Sequence, residues 1–208
     1  MISGGLDSTA ALVWMLTNTD DVIHAHHIKL QNRENRAKAE SQALANILPY
    51  LRENYRPFQY TESSVDMGKM FIPFDLFVYS FMSGVIVQGL KGRRAIHRIV
   101  TGSIQTRINI DKRREYAWGL FRYMADWSAH NRNRNIDWYR PLIGMTKEEV
   151  YDFLPKELSD MTWSCRYPKY DDGDNATTCG KCFSCMATKR IRGELTQEEI
   201  KKYKKWVE

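Results

Sequence analysis

Apolar positions along the chain follow two periods. Val22-Ile-His-Ala-His-His-Ile-Lys-Leu30 is a near-continuous β-prone run after the turn signal Asn18–Asp21, which predicts a strand covered on both faces in a parallel sheet. Between Asn35 and Asn54, Leu44, Ile47, Leu48 and Leu51 recur at helical spacing. Phe58–Glu62 predicts a short strand, Phe71–Leu90 a buried helix, and Ile96–Gly102 an apolar strand ending in glycine. Ala117, Leu120, Phe121, Met124 and Trp127 form one face of a long helix starting near Asp111, and Ile136–Leu142 predicts a last strand that breaks at Pro141. Thr146-Lys-Glu-Glu149 ahead of Val150, Tyr151 and Phe153 is a capping box; Thr196-Gln-Glu-Glu199 ahead of Ile200 is a second, opening a lysine-rich terminal helix. Alternating strands and helices predict a doubly wound, mostly parallel α/β sheet, with ligands outside the carboxyl ends of the strands.

The chain's 208 residues suit one α/β domain over residues 1–160 and a small appendage over 161–208. A net charge of +6 is compatible with a nucleic-acid partner, which is not favoured, and equally with binding ATP and a carboxylate. Phe71–Leu90 is long enough to span a membrane, yet it carries Pro73, Asp75, Ser80, Ser83 and Gln88, so a core helix is the expectation. With the glycine-rich loop starting at the third residue, no signal peptide is expected, and the chain reads as soluble and cytoplasmic. Of the five histidines, His24 and His26 project to one face of the first strand and His27 to the other; none is assigned a catalytic role.

Ser3-Gly4-Gly5-Leu6-Asp7-Ser8-Thr9 is the first stretch with chemistry in it. Two glycines allow a sharp turn and close approach of a ligand, and Ser8 and Thr9 are expected to cap the helix that continues through Ala10–Trp14. Such a turn presents unpaired N–H groups and a positive dipole end to a phosphate. No Gly-Lys-Ser/Thr follows, so this is not the common P-loop. Ser-Gly-Gly-x-Asp-Ser resembles instead the PP-loop of the ATP pyrophosphatases, which holds the β,γ-pyrophosphate of ATP while a substrate oxygen is adenylated.

All four cysteines, Cys165, Cys179, Cys182 and Cys185, fall in one short segment. Two x2 spacings from a glycine-containing turn let three thiolates converge on one tetrahedral ion, with Cys165 returning across a loop. Four thiolates without nitrogen or oxygen ligands point to a closed structural Zn²⁺ site. Two disulfides and an iron–sulfur cluster are the alternatives. The loop from Arg166 to Thr178 has no hydrophobic core of its own, so a metal would supply its folding energy.

Taken together, the chain resembles the 7-cyano-7-deazaguanine synthases, the QueC-like branch of the PP-loop enzymes. The resemblance rests on Ser3–Thr9, on Pro141-Leu142 followed by Thr146–Glu149, on Thr162-Trp-Ser-Cys165, and on Cys179-Gly-Lys-Cys-Phe-Ser-Cys185 with Lys189-Arg190. It implies an adenine nucleotide α-hydrolase-like fold, ATP and Mg²⁺ as cofactors, and a small-molecule substrate with ammonia as co-substrate. In that chemistry a 7-carboxy-7-deazaguanine carboxylate attacks the α-phosphate of ATP, pyrophosphate leaves, and ammonia displaces AMP to give an amide. A second ATP dehydrates the amide to a nitrile. Ser3, Gly4, Gly5, Leu6, Asp7, Ser8 and Thr9 would bind the nucleotide. Asp7 and Ser8 carry the catalytic assignment, Asp7 holding the metal or the ribose side. A homodimer is compatible with the family. Pro73-Phe-Asp75, Gly102–Thr106 and Asn109–Arg113 stand where the family has other motifs, and the compact, divergent chain resembles a viral or mobile-element member, working then in the host cytoplasm.

Two further readings compete. One is a PP-loop tRNA- or nucleic-acid-modifying enzyme, such as a thiolase or a lysidine-type ligase; thiolation by an internal cysteine would need a cysteine outside the metal cluster, and none exists. A nucleotide-binding module without chemistry would use Lys91–Arg98, Lys112–Arg114, Arg132 and Arg134 as an interaction surface. Only Met1 and Ile2 precede the loop, where a doubly wound sheet has its central strand. The expectation is a start upstream of Met1, with a strand from another chain or a gapped sheet as alternatives.

Overall fold

A computed structural model describes residues 1–72, 74–90, 96–105, 108–126 and 136–207. Pro73, Lys91, Arg93, Arg94, Thr106, Trp127, Arg132 and Arg134 lie outside them. Helices and strands alternate from α1 to α5, with α6 following: α1 (Leu6–Asn18), β1 (His24–Gln31), α2 (Ala37–Asn54), β2 (Gln59–Asp66), α3 (Asp75–Gly89), β3 (Arg98–Val100), α4 (Ile108–Asp126), β4 (Asp137–Tyr139), α5 (Lys147–Phe153) and α6 (Lys156–Asp160). The remainder holds an antiparallel ribbon, β5 (Lys169–Tyr170) with β6 (Ala176–Thr177), then α7 (Phe183–Ile191) and α8 (Gln197–Val207).

β1 runs parallel to β2, from His24 opposite Gln59 to Gln31 opposite Asp66. Its buried run Ala25–Ile28 explains the unbroken β-prone sequence, since both faces are covered. β2 is largely exposed and forms the outer edge. β3 runs parallel to β4, with Ile99 opposite Trp138. The described strands thus form two parallel pairs and a ribbon, a mixed α/β architecture, rather than the single continuous sheet expected from the alternation. Met1 and Ile2 lie between the pairs: the Ile2 N–H donates to the His26 carbonyl at 2.9 Å and the Met1 nitrogen to the Val100 carbonyl at 3.3 Å.

The main core gathers around α1, whose residues Leu6 and Thr9–Val13 are all buried. Leu44, Ile47 and Leu51 of α2 pack there with Leu142, Val150 and Leu158. These are the helically spaced leucines of the Asn35–Asn54 pattern, so that periodicity reports the core-facing stripe directly. A second small core joins α3 to α4 through Val87, Phe121 and Ala125. Gly84 permits that contact, because a Cβ there would stand 2.5 Å from the Met124 Cβ. The Phe71–Leu90 segment differs from its expectation. Its helix begins only at Asp75, and it buries one stripe while Leu76, Phe81 and Val85 remain exposed. Among the described residues, no helix is long and apolar enough to cross a membrane.

Candidate functional site

Ser3–Thr9 is a turn that enters α1 end-on. Gly4 has φ +72°, the left-handed region that glycine adopts freely, and a Cβ there would stand 3.0 Å from the Glu40 carbonyl. Gly5 is the N-cap, in an extended conformation, and the helix begins at Leu6. Ser8 and Thr9 are therefore inside the first turn, not its caps. The Thr9 N–H closes the first helical bond to the Gly5 carbonyl at 3.0 Å, leaving the N–H groups of Leu6, Asp7 and Ser8 ahead of the helical ladder. Ser8 braces the turn from within: its Oγ accepts from the Ser3 N–H, donates to the Gly5 carbonyl, and lies 3.1 Å from the Ser3 Oγ. The Leu6 and Thr9 side chains are buried, so Leu6 can offer a ligand only its backbone, and the Thr9 hydroxyl is not brought to the turn's open side.

Three later segments lean on this turn. The Trp163 N–H donates to the Gly4 carbonyl at 2.8 Å, and the Trp163 indole N–H in turn donates to the Cys165 carbonyl at 2.9 Å. Gly102 lies against the first turn of α1 so closely that a Cβ there would be 2.6 Å from the Asp7 carbonyl carbon and oxygen. The capping box at Thr146 forms as its spacing predicts, with Glu149 N–H to Thr146 Oγ1 at 3.2 Å and Thr146 N–H to Glu149 Oε2 at 2.7 Å. It sets α5 so that Lys147 Nζ donates to Asp7 Oδ1 at 2.5 Å. Lys147 was not singled out as a site residue from sequence. The signal that could have found it was its place at the first helical position after the Thr146 cap, in the Thr146–Glu149 capping box.

Beside the turn lies a buried ionic cluster that hydrophobic patterning does not reveal. Arg36 reaches Glu34 and Glu40 at 3.0 Å each and also pairs with Asp75; Arg166, next to Cys165, reaches Glu34 at 2.6 Å and Asp75 at 3.2 Å. Three buried carboxylates meet two guanidiniums. Burial pushes the Glu40 carboxyl up to about 7, against the pull of Arg36 and with Asp75 and Glu34 adding to the rise. The histidines behave as the strand period predicts. His24 and His26 share the Thr61 hydroxyl, at 2.6 and 2.7 Å, while His27 turns into the core and bonds the Ile2 carbonyl at 3.0 Å.

The four cysteines converge. Their Sγ atoms all lie within 4.8 Å of one another, with Cys179–Cys185 at 3.9 Å and Cys182–Cys185 at 3.5 Å. A tetrahedral ion with metal–sulfur bonds of about 2.3 Å needs sulfurs about 3.8 Å apart, so this group could hold a metal ion such as zinc. Gly180, at φ +72°, makes the sharp turn between Cys179 and Cys182, and Cys182 is the N-cap of α7, its sulfur accepting from the Cys185 N–H. The Cys179 N–H donates to the Cys165 sulfur at 3.2 Å. Burial raises the Cys179 thiol, but backbone N–H groups of Lys181 and Cys182 outweigh it and lower it to about 7, which favours the thiolate a metal requires. The Arg166–Thr178 loop is tied down at its ribbon. Tyr170 Oη donates to the Asn35 carbonyl, and Gln42 of α2 bonds Asp174 and Ala176. Arg190 of α7 pairs with Glu148, the neighbour of Lys147.

No family model matches this sequence, and no curated protein matches it.

Proposed function

We propose that the chain is an ATP-dependent ligase of the PP-loop kind, which adenylates a carboxylate and passes the acyl group to ammonia. The observation that carries the reading is the Ser3–Ser8 turn, with its free first-turn N–H groups and Asp7 held by Lys147. Supporting it, Met1 and Ile2 hydrogen-bond to both parallel pairs, as the end of a middle strand would. In this reading the sheet is doubly wound, ordered β2, β1, Met1–Ile2, β3, β4, as in adenine nucleotide α-hydrolase-like folds. The turn then opens at the carboxyl ends of the strands, where such sheets bind ligands.

The chemistry asks for electrostatics more than for proton transfer. A carboxylate oxygen attacks the α-phosphorus and the bond to the β-phosphate breaks. Negative charge grows on the departing pyrophosphate, where the N–H groups of Leu6, Asp7 and Ser8 can receive it. Lys147 adds a positive charge beside them. Mg²⁺ near Asp7 would spread the remaining phosphate charge. Ammonia then attacks the acyl carbon, loses a proton, and AMP leaves with the original carboxylate oxygen. For the acceptor, 7-carboxy-7-deazaguanine is the substrate that the resemblance implies, with amide or nitrile as product. The Cys165–Cys179–Cys182–Cys185 centre takes Zn²⁺ as a closed structural site in this account. No thiol is left over for sulfur transfer, which sets the tRNA-thiolating alternative aside. The test is to incubate the protein with ATP, Mg²⁺, ammonium and 7-carboxy-7-deazaguanine and to weigh the products. Mass changes matching replacement of a carboxylate oxygen by nitrogen, with AMP and pyrophosphate, support the reading; ADP and phosphate as the only nucleotide products refute it.

A further inference from the structure

Two paths of contacts leave the Ser3–Ser8 turn on opposite sides and meet again away from it. One leaves at Gly4, where a Cβ would stand 3.0 Å from the Glu40 carbonyl. Glu40 pairs with Arg36 at 3.0 Å, and Arg36 pairs with Asp75. The other leaves at Asp7, whose carbonyl lies 2.6 Å from where a Cβ on Gly102 would stand. Two residues on, the Ile104 carbonyl accepts from Arg114 Nη1 at 3.2 Å. Phe74 neighbours Asp75 and Arg113 neighbours Arg114, and these two close the circuit: the Arg113 guanidinium carbon lies 4.0 Å from the centre of the Phe74 ring. Residues 32–36 follow the carboxyl end of β1 and residues 101–104 that of β3, so the circuit rims the end of the strands at which open α/β sheets bind ligands.

Phe74 is held in place without a ligand. It is the N-cap of α3; Asp75 beside it is buried and pairs with Arg36 and, at 3.2 Å, with Arg166, while Phe77 packs edge-on against the Phe74 ring. Arg113 stands one turn before the buried Ala117 of α4, its side chain exposed, and rests over that ring. A guanidinium held by its face keeps open its N–H donors, which radiate in its own plane. No hydrogen bond or ion pair meets them among the described residues, in contrast to Arg36 and Arg166, whose donors are taken by Glu34, Glu40 and Asp75.

We infer that Arg113, laid over Phe74, anchors the substrate carboxylate, whose two oxygens match the guanidinium fork in two parallel N–H···O bonds. The nucleotide phosphates have their own partners across the rim, the N–H groups of Leu6, Asp7 and Ser8 with Lys147. Bringing a carboxylate against a triphosphate sets like charges together, and a cation on the carboxylate offsets that repulsion. The fork grips the carboxylate as it binds, so Arg113 acts on substrate affinity and KM more than on kcat. The identity of this anion rests on the ligase reading; the openness of the guanidinium to a planar oxyanion does not.

The experiment separates the two. The parent, Arg113→Ala and Arg113→Lys are titrated by calorimetry with 7-carboxy-7-deazaguanine, with the same base lacking its carboxylate, and with ATP and Mg²⁺. AMP release is followed alongside, with the carboxylate and ammonium present. The parent is expected to bind the carboxylate. Arg113→Ala should weaken that binding and raise the KM for the carboxylate by about 10–100-fold, while kcat, ATP affinity and the unfolding midpoint hold. Arg113→Lys, with a point charge in place of the fork, should recover only part of the loss. Guanidinium chloride at a non-denaturing concentration should restore part of the binding to Arg113→Ala, which a merely structural role would not show. Equal carboxylate affinity in the parent and Arg113→Ala overturns the inference. So does a parent that binds the base equally well with and without its carboxylate, or a loss that falls on ATP instead, which marks Arg113 as a phosphate ligand. Carboxylate binding through Arg113 without AMP release would refute the ligase reading and leave the anchor standing.

Discussion

Lys147 Nζ lies 2.5 Å from Asp7 Oδ1, although 140 residues separate the two along the chain. Asp7 sits in the first turn of α1 and Lys147 in the first turn of α5, so two helix N-termini meet at one ion pair. An aspartate held this way cannot swing freely, and the lysine it holds stays beside the N–H groups of the turn. Both side chains are about one third exposed, so the pair itself contributes little to stability and its value is positional.

Lys147→Ala and Asp7→Asn should each leave the fold intact and lower ATP turnover on the order of 10²–10³-fold, the usual loss for a ligand to developing charge. Rates of AMP release, read beside unfolding midpoints, check this. A variant that keeps full turnover removes its residue from the site.

Gly102→Ala should destabilise the protein by about 1–3 kcal/mol, because the new Cβ meets backbone rather than a movable side chain. Denaturant unfolding measures the loss. Gly119→Ala, at a position where a Cβ meets nothing, is the control and should be neutral or slightly stabilising.

Much of this was legible in the sequence, and the exceptions have physical causes. Leu44, Ile47, Leu48 and Leu51 recur at helical spacing because one stripe of α2 faces the core. The Thr146 box predicted α5 because its two hydrogen bonds are local. The cysteine spacing predicted the cluster because a glycine turn and one helical turn bring three sulfurs together. The start of α1 was misjudged: Ser8 resembles a cap, yet Gly5 caps the helix and Ser8 folds back on Ser3. The Glu34–Arg36–Glu40–Asp75–Arg166 cluster was invisible, because buried charges at such separations follow no period. A continuous sheet was expected; the described strands form two parallel pairs, bridged by the Ile2–His26 and Met1–Val100 hydrogen bonds, a pairing too short for the hydrophobic pattern to reveal.

The ionic cluster gives a pH prediction. Glu40 carries a folded pKa of about 7 against an ordinary value of 4.5, so folding takes up a proton. Its contribution to stability is fully present below pH 4.5 and is lost as pH rises through about 7. Glu40→Gln keeps the neutral form at every pH. Relative to the parent, this variant should therefore gain stability steadily from pH 4.5 to 8, as measured by urea unfolding at each pH. A difference that stays flat across that range would show that Glu40 is not raised.

Metal analysis should find one zinc ion per chain. Cys182→Ser should release it and expose the segment from Thr162 to Arg190 to exchange and proteolysis, because a bound ion would supply folding energy to that segment. The Gly4–Trp163 hydrogen bond should carry part of the loss to the turn, seen as faster exchange at residues 3–9. Iron with visible absorbance, or no metal at all, contradicts the zinc assignment.

The central claim is that the substrate carboxylate attacks the α-phosphate of ATP. Isotope transfer tests it most directly. 7-Carboxy-7-deazaguanine labelled with ¹⁸O in both carboxylate oxygens is turned over with unlabelled ATP, Mg²⁺ and ammonium, and the nucleotide products are weighed. The account predicts one ¹⁸O atom in the phosphate of AMP and none in pyrophosphate. Label in inorganic phosphate with ADP as the nucleotide product, or AMP formed without label, would contradict it.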